Sequence, residues 1–264
     1  MGMAAQIRAA ADLFRADGVA VLDVGGDVLT DGADPGLRSP LADQLALAAV
    51  VRAGVPARLM IAAPGIDGEL PPEIILDRLR ALAAGQLPQI SSSDIAPARH
   101  VFRWHPSEAS GLLSAACDGC RGLVEVRDAG DQVRLSADTT ALYAADAKAA
   151  LEVTPAVRLL NTCSLAEAEA IVHAVTGISE ISYETKKAAG LRDRPTHVPS
   201  RADLPAIDAH ARHAKERGAQ FISTRRLAEL LHVTTLDAFA SLCDLLAEAR
   251  PGHYEPSLYR TEAR

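Results

Sequence analysis

The chain is predicted to fold as an α/β protein with a mainly parallel, Rossmann-like sheet covered by helices on both faces, and three observations predict it. Two short continuous apolar runs, residues 19–22 and 57–63, are each succeeded by an Asp/Gly loop and then by a helix with a recognisable start. The 264 residues exceed one compact domain without filling two, which predicts an α/β domain with an appended helical segment. Composition is ordinary for a globular interior: 48% hydrophobic and 23% charged, but only 3% aromatic, so Ala, Leu, Val and Ile must build the core.

The first helix is expected over 5–17, where apolar residues recur at helical spacing (Ile7, Ala10, Ala11, Leu13, Phe14), and Gly18 is expected to stop it before strand 19–22. The loop from Asp23 to Ser39 leads to a helix with Ser39 as N-cap and Pro40 at its first position, running to Arg52. The strand ARLMIAA precedes Pro64-Gly65-Ile66-Asp67-Gly68-Glu69 and a helix opened by Pro71 and Pro72. Ligands of open α/β sheets sit beyond the carboxyl ends of strands, so both Asp/Gly loops are expected on one sheet edge.

Further along, a strand is expected at 99–104, a helix opened by Pro106, and an antiparallel hairpin of 123–127 with 132–135. Another strand is expected at 157–160, then a helix capped by Ser164 with Glu167 three residues on, ending at Gly177. The organisation expected is an α/β domain over 1–190, a linker or excursion at 191–204, a helical segment at 205–250 packed on the core, and a tail at 251–264.

Charge and composition exclude several classes. A net charge of −7 lacks the basic face that a phosphate-backbone binder needs, so no nucleic-acid partner is expected. Arg8, Asp12 and Arg15 interrupt the N-terminal apolar residues, leaving neither a signal peptide nor a membrane span, and a cytoplasmic protein with no membrane partner is expected. Four cysteines in this length are no disulfide framework, so reduced thiols are expected.

The strongest chemical signal is DVGGDVLTDG, residues 23–32, with SPLAD at 39–43. Asp23, Asp27 and Asp31 are carboxylates for a hard cation or a sugar diol, and Gly25 and Gly26 let backbone approach a ligand. A solvated turn with Asp43 complementing the helix N-terminus is the competing reading. Neither a dinucleotide fingerprint nor a P-loop is present.

The string AVLDVGGDVLTDGADPGLRSPLADQLALAA resembles an uncharacterised family, domain of unknown function 1152, over about residues 6–190, with a second match in GISEISYETKKA. The resemblance carries the loop Asp23, Gly25, Gly26 and Asp27, the helix start Arg38, Ser39, Pro40 and Asp43, and Glu180, Tyr183 and Glu184. Longer members begin with a further βα segment bearing a glycine run that ends in Asp. Nothing before Met1 supplies it, so nucleotide or phosphate binding by this chain alone is not expected.

Weaker signals read as structure. Cys117-Asp118-Gly119-Cys120 has zinc or redox spacing but no second pair, and reads as a helix end with Gly119 left-handed. His210 and His213 read as a solvated helix face, His100 and His105 as packing near Trp104, and Ser91–Asp94 as a cap. The run 221–242 superficially resembles a helix-turn-helix, but Glu229, Asp237 and Asp244 weaken it. Cys163 has no assignable histidine partner.

The expectation is an enzyme of small-molecule metabolism or biosynthesis, of hydrolase or lyase type, acting on a small polar metabolite. Asp23, Asp27, Glu180 and Tyr183 are its catalytic candidates, and Gly25, Gly26, Asp31, Arg38, Ser39 and Asp43 its substrate-binding candidates. It uses no cofactor, or Mg²⁺ held by Asp23 and Asp27, and a homo-oligomer is expected. The alternative is a non-catalytic binding subunit that needs a partner chain; a DNA-binding regulator ranks last.

Overall fold

A computed structural model of the chain describes residues 2–105, 107–192 and 195–263. Two compact units share the chain. The first comprises Met1–Gly65, Glu69–Pro88 and Ala141–Ala189; the second comprises Ile66–Gly68, Gln89–Thr140 and Gly190–Arg264. Residues 89–140, expected in the first domain, therefore pack with the C-terminal segment.

The first unit opens with α1 (Met3–Phe14), β1 (Val19–Val24), α2 (Pro40–Arg52), β2 (Ala57–Ala62), α3 (Pro72–Ala81) and β3 (Gly85–Leu87). Arg15 ends α1 in the left-handed conformation, three residues before the expected Gly18. The chain then supplies the second unit with the short α4 (Ser92–Ile95), α5 (Glu108–Cys117), β4 (Gly122–Glu125), the one-turn α6 (Arg127–Gly130) and β5 (Gln132–Leu135). It returns to the first with β6 (Leu142–Asp146), α7 (Ala147–Glu152), α8 (Leu165–Thr176) and α9 (Glu180–Arg192). The rest is α10 (Leu204–Glu216), β7 (Phe221–Ser223), α11 (Thr224–Leu230), α12 (Leu236–Ala249), β8 (Tyr254–Glu255) and β9 (Leu258–Arg260).

Both sheets are mixed, which corrects the mainly parallel, Rossmann-like expectation. The first has order β1-β2-β6-β3, with β1 parallel to β2 and the other neighbours antiparallel. The second has order β5-β4-β7-β9-β8, with only β4 and β7 parallel. A continuous apolar run reports burial on both faces, not strand direction, so the βα pattern identifies β1 and β2 but leaves β6 undetermined. The hairpin expected at 123–135 is β4–β5.

Two expected strands are 3-10 turns instead. Residues 101–103 and 155–159 wind as Val101–Arg103 and Pro155–Leu159, the second opened by a proline that has no N–H to give a ladder. Conversely Phe221–Ser223, expected to be helical, is the buried strand β7, and residues of the expected tail form the β8–β9 hairpin. Ser164 caps α8 by accepting the Glu167 N–H, and Gly177 closes it with φ 73°. Of the expected linker, residues 193 and 194 lie outside the described residues, as does Pro106.

Each unit has its own core. In the first, Leu41, Leu47 and Val50 of α2 are buried in one cluster with Leu59 and Ile61 of β2 and Ile75 and Leu79 of α3. That burial seats α2 at the end of the loop that leaves β1. In the second, Ile207, Ile222, Leu227, Phe239, Leu242, Leu246 and Tyr259 form the cluster. Each fully buried aliphatic contributes about 1.5–3 kcal/mol.

Candidate functional site

Asp23 lies near the carboxyl end of β1, opposite Ile61 of β2, and is 6% exposed. Its Oδ2 accepts the Val28 N–H at 3.1 Å, which folds the chain back over the strand end. The turn depends on Gly26, whose φ of 102° suits no branched residue. A Cβ there would stand 2.9 Å from Ile75 Cγ2, so core packing excludes a side chain as well. Asp27 heads the 3-10 turn Asp27–Leu29 and is 5% exposed.

The N-terminus of α2 is where the polar groups gather. Glu69, from the loop after β2, accepts the backbone N–H groups of Arg38 at 2.7 Å and Ser39 at 3.1 Å through Oε2. Its Oε1 accepts the Ser39 hydroxyl at 2.6 Å. Ser39 thus stands at the N-cap position, yet its hydroxyl donates to Glu69 instead of accepting a helix N–H. Glu180, the first residue of α9, accepts the Leu41 N–H at 2.8 Å through Oε2. Two carboxylates therefore satisfy N–H groups that a helix start leaves without intrahelical partners, and the positive end of the helix favours their charge.

Asp43, in the first turn of α2, completes the cluster. Burial pushes its carboxyl up to about 7, and the charges of Asp23, Glu180 and Glu69 push in the same direction. Glu180 is also raised, by burial first and then by the charges of Glu69 and Glu169, against the lowering effect of its backbone hydrogen bonds. A carboxyl poised near neutrality can hold or release a proton at physiological pH.

Asp23, Ser39, Asp43 and Glu180, all named from the sequence, thus meet, and Arg38 joins them through its backbone N–H. Asp31 stands elsewhere: its largely exposed side chain pairs with Arg78 at 3.0 Å, while Asp34 receives two bonds from the same guanidinium at 2.8 and 3.0 Å. Tyr183 is 46% exposed on α9 with the Lys187 ammonium 5.6 Å from its ring centroid. Glu69 is the member of the cluster that sequence reasoning misses. It closes the Asp/Gly loop expected on this edge, and its position beyond a strand's carboxyl end is the available signal.

Gly36 makes the meeting of the two loops possible, since a Cβ on it would lie 2.2 Å from the Glu69 carbonyl oxygen. Among the described residues no group of three or more His, Cys, Asp or Glu is arranged to hold a metal ion. Glu69 and Glu180 instead spend oxygens on backbone N–H groups. Cys117 ends α5 and Gly119 lies just beyond it with φ 91°, as expected of a helix end, and burial pushes the Cys117 thiol up to about 11. No described helix is long and apolar enough to cross a membrane.

Fold and site define a mixed α/β protein with a carboxylate cluster on a helix N-terminus. The chain belongs to the family described as protein of unknown function (DUF1152), whose model matches residues 1–188. No curated protein and no solved structure matches it.

Proposed function

We propose that the chain is an enzyme acting on a small polar metabolite, by hydrolase- or lyase-type chemistry, with Asp43 as the group that takes and returns a proton. The observation that carries this reading is the Asp43 carboxyl, raised to about 7 by burial and by Asp23, Glu180 and Glu69. Glu180 and Glu69 hold the start of α2 in place, so Asp43 works from a rigid helix turn. Asp23, buried near the end of β1, is one of the carboxyl groups that raise Asp43, and in this reading it faces the substrate beside it. A cluster of this sign favours a substrate rich in hydroxyl or amino groups over a free anion. Magnesium enters only as an arm of the test, since the described carboxylates do not group as ligands.

The test is a thermal-shift screen of wild type and Asp43→Asn against sugars, amino sugars, amino acids, sugar phosphates and nucleotides, each with and without Mg²⁺. A ligand that binds only the folded state raises Tm by mass action. The expected outcome is a shift by a hydroxyl- or amino-bearing compound and turnover that Asp43→Asn reduces by at least about 100-fold, the usual scale for a proton-transfer group. Turnover unchanged in Asp43→Asn sinks the assignment.

A non-catalytic binding subunit is favoured by one observation. β1 is an edge strand with Leu22 57% exposed, and Leu13 and Phe14 of α1 are 77% and 78% exposed. In that reading a second copy or another chain covers these residues. A monodisperse, catalytically active homo-oligomer by light scattering removes the need for a different partner chain.

A further inference from the structure

Helix α1 lies on the first unit with most of its surface uncovered. Of its residues only Ala11 is buried, and Ile7 packs half-buried against the first core. A second set, Met3, Gln6, Ala10 and Leu13 with Phe14 beside it, recurs at i, i+3, i+7 and i+10 and forms an exposed stripe without a charge. Arg8 and Asp12 fall on the opposite flank. Leu13 and Phe14 are 77% and 78% exposed, more than any other large hydrophobic among the described residues. One apolar face serves the helix's own core, and a second, uncharged one marks a surface that something covers.

The other end of α1 walls a cavity of about 510 Å³, shared with α2, the Pro155–Leu159 turn and the start of α8. Met3, Leu45, Ala49, Leu159 and Leu165 give it apolar walls, and Leu165 is 58% exposed. Polar side chains on the lining are engaged within the chain. Arg52 donates to the Leu160 and Thr162 carbonyls at 2.8 and 3.3 Å, the Thr162 hydroxyl donates to the Leu159 carbonyl at 2.8 Å, and Ser164 accepts the Glu167 N–H at 3.2 Å. Such a lining favours an apolar guest.

We infer that this face of α1 is the interface of a two-fold dimer, in which Leu13 and Phe14 of one copy enter the cavity of the other. Order along the helix selects a second copy as the occupant. Leu13 lies about 15 Å along the axis from Met3, at 1.5 Å per residue, so the chain cannot seat its own pair in its own cavity. An antiparallel copy reverses that order. It brings Leu13 opposite the partner's Met3, Gln6 opposite the partner's small Ala10, and Phe14 level with the partner's Gly2 on the cavity wall. Each contact then occurs twice, as a closed isologous interface requires. The stripe carries no charge, so two copies meet there without like-charge repulsion. The proposal does not rest on the enzyme reading, because no member of the carboxylate cluster takes part.

Sedimentation velocity of the full chain over a range of concentrations tests it. Wild type is expected to be a dimer that Phe14→Glu and Leu165→Glu each weaken at least about tenfold, as loss of an interface anchor does. Both side chains are largely exposed within one copy, and a glutamate at the first position of α8 suits a helix N-terminus, so circular dichroism of both variants should match wild type. Asp12→Asn, on the charged flank, should leave the dimer intact. Cys163, exposed on the cavity lining, gives a second readout: iodoacetamide should modify it more slowly in dimeric wild type than in Phe14→Glu at the same concentration. A wild type that is monomeric at every concentration overturns the proposal. So does a dimer that survives either folded variant unweakened, dissociation by Asp12→Asn, or equal modification of Cys163. Failure of the Asp43→Asn test would leave these outcomes unchanged.

Discussion

Asp43 sets stability against proton chemistry. Its folded carboxyl is raised to about 7, above the ordinary aspartate value of 3.8, so the folded chain holds a proton that the unfolded chain has released across that interval. The contribution to stability is therefore greatest below about pH 4, declines as pH rises towards 7, and is absent above it. Asp43→Asn keeps a neutral group at every pH. Its thermal unfolding should show a higher Tm than wild type at pH 8 and a flatter profile between pH 4 and 7, whereas a lower Tm at pH 8 would contradict the buried-charge account. Gly36 makes a sharper steric demand. Gly36→Ala pushes a methyl into the Glu69 carbonyl, at an expected cost of about 1–3 kcal/mol, read as a lower midpoint in urea. At this scale the sequence is legible wherever an acidic residue stands in a recognisable signal: Asp23 at a strand end, Asp43 in a first helical turn, Glu180 in a family segment. Glu69 is not, because its role comes from the approach of two loops made possible by Gly36, far from it in sequence, and no local pattern encodes that approach. Asp31 is the loop carboxylate its setting suggests, but its partner, Arg78, comes from α3 and turns it away from the cluster.

Among the elements, the loop between β1 and α2 is held by α3 as much as by its own turns. Burial works against the Asp34 carboxylate, but hydrogen bonds from Arg78 and Thr30 outweigh it and hold its carboxyl below the usual value. Its stabilising contribution is thus present above the ordinary carboxylate range and is lost as pH falls through the folded value. Arg78→Gln leaves a half-buried carboxylate without its fork of donors, and should cost about 2–3 kcal/mol, between the values for exposed and buried pairs. Calorimetry should show that loss in full at pH 7 and progressively less of it as pH falls below the ordinary aspartate value of 3.8. Elements with a local cause are legible: α2 from Ser39-Pro40, α8 from Ser164 and Gly177, and the β4–β5 hairpin from its alternation. Runs of three to five apolar residues are not, because 157–160 and 221–223 look alike in hydropathy, and only tertiary pairing decides that the first winds as 3-10 and the second joins a sheet.

For the whole molecule, chain order and spatial order part company. The match to the family model ends at residue 188, beside the last residue of the first unit, yet residues 89–140 depend on strands from the C-terminal segment. β4 pairs with β5 on one side and with β7 on the other, and β7 in turn carries β9. A fragment of residues 1–189 should retain the first core but leave β4 as an open edge. Limited proteolysis should then cut it within 89–140, a region expected to resist in the full chain; equal resistance in both would show that this region folds without the C-terminal strands.

The parallel pairing of Val124 and Glu125 with Phe221 and Ile222 also bears on how the protein is made. About a hundred residues separate the partners, which at translation rates of roughly 5–20 residues per second is on the order of 5–20 s. During that interval the nascent hairpin has emerged from the ribosome with an unpaired β4 edge, a template for pairing with any other extended chain. A slower ribosome lengthens the exposure, so soluble yield on overexpression should depend on how quickly residues 140–221 are translated.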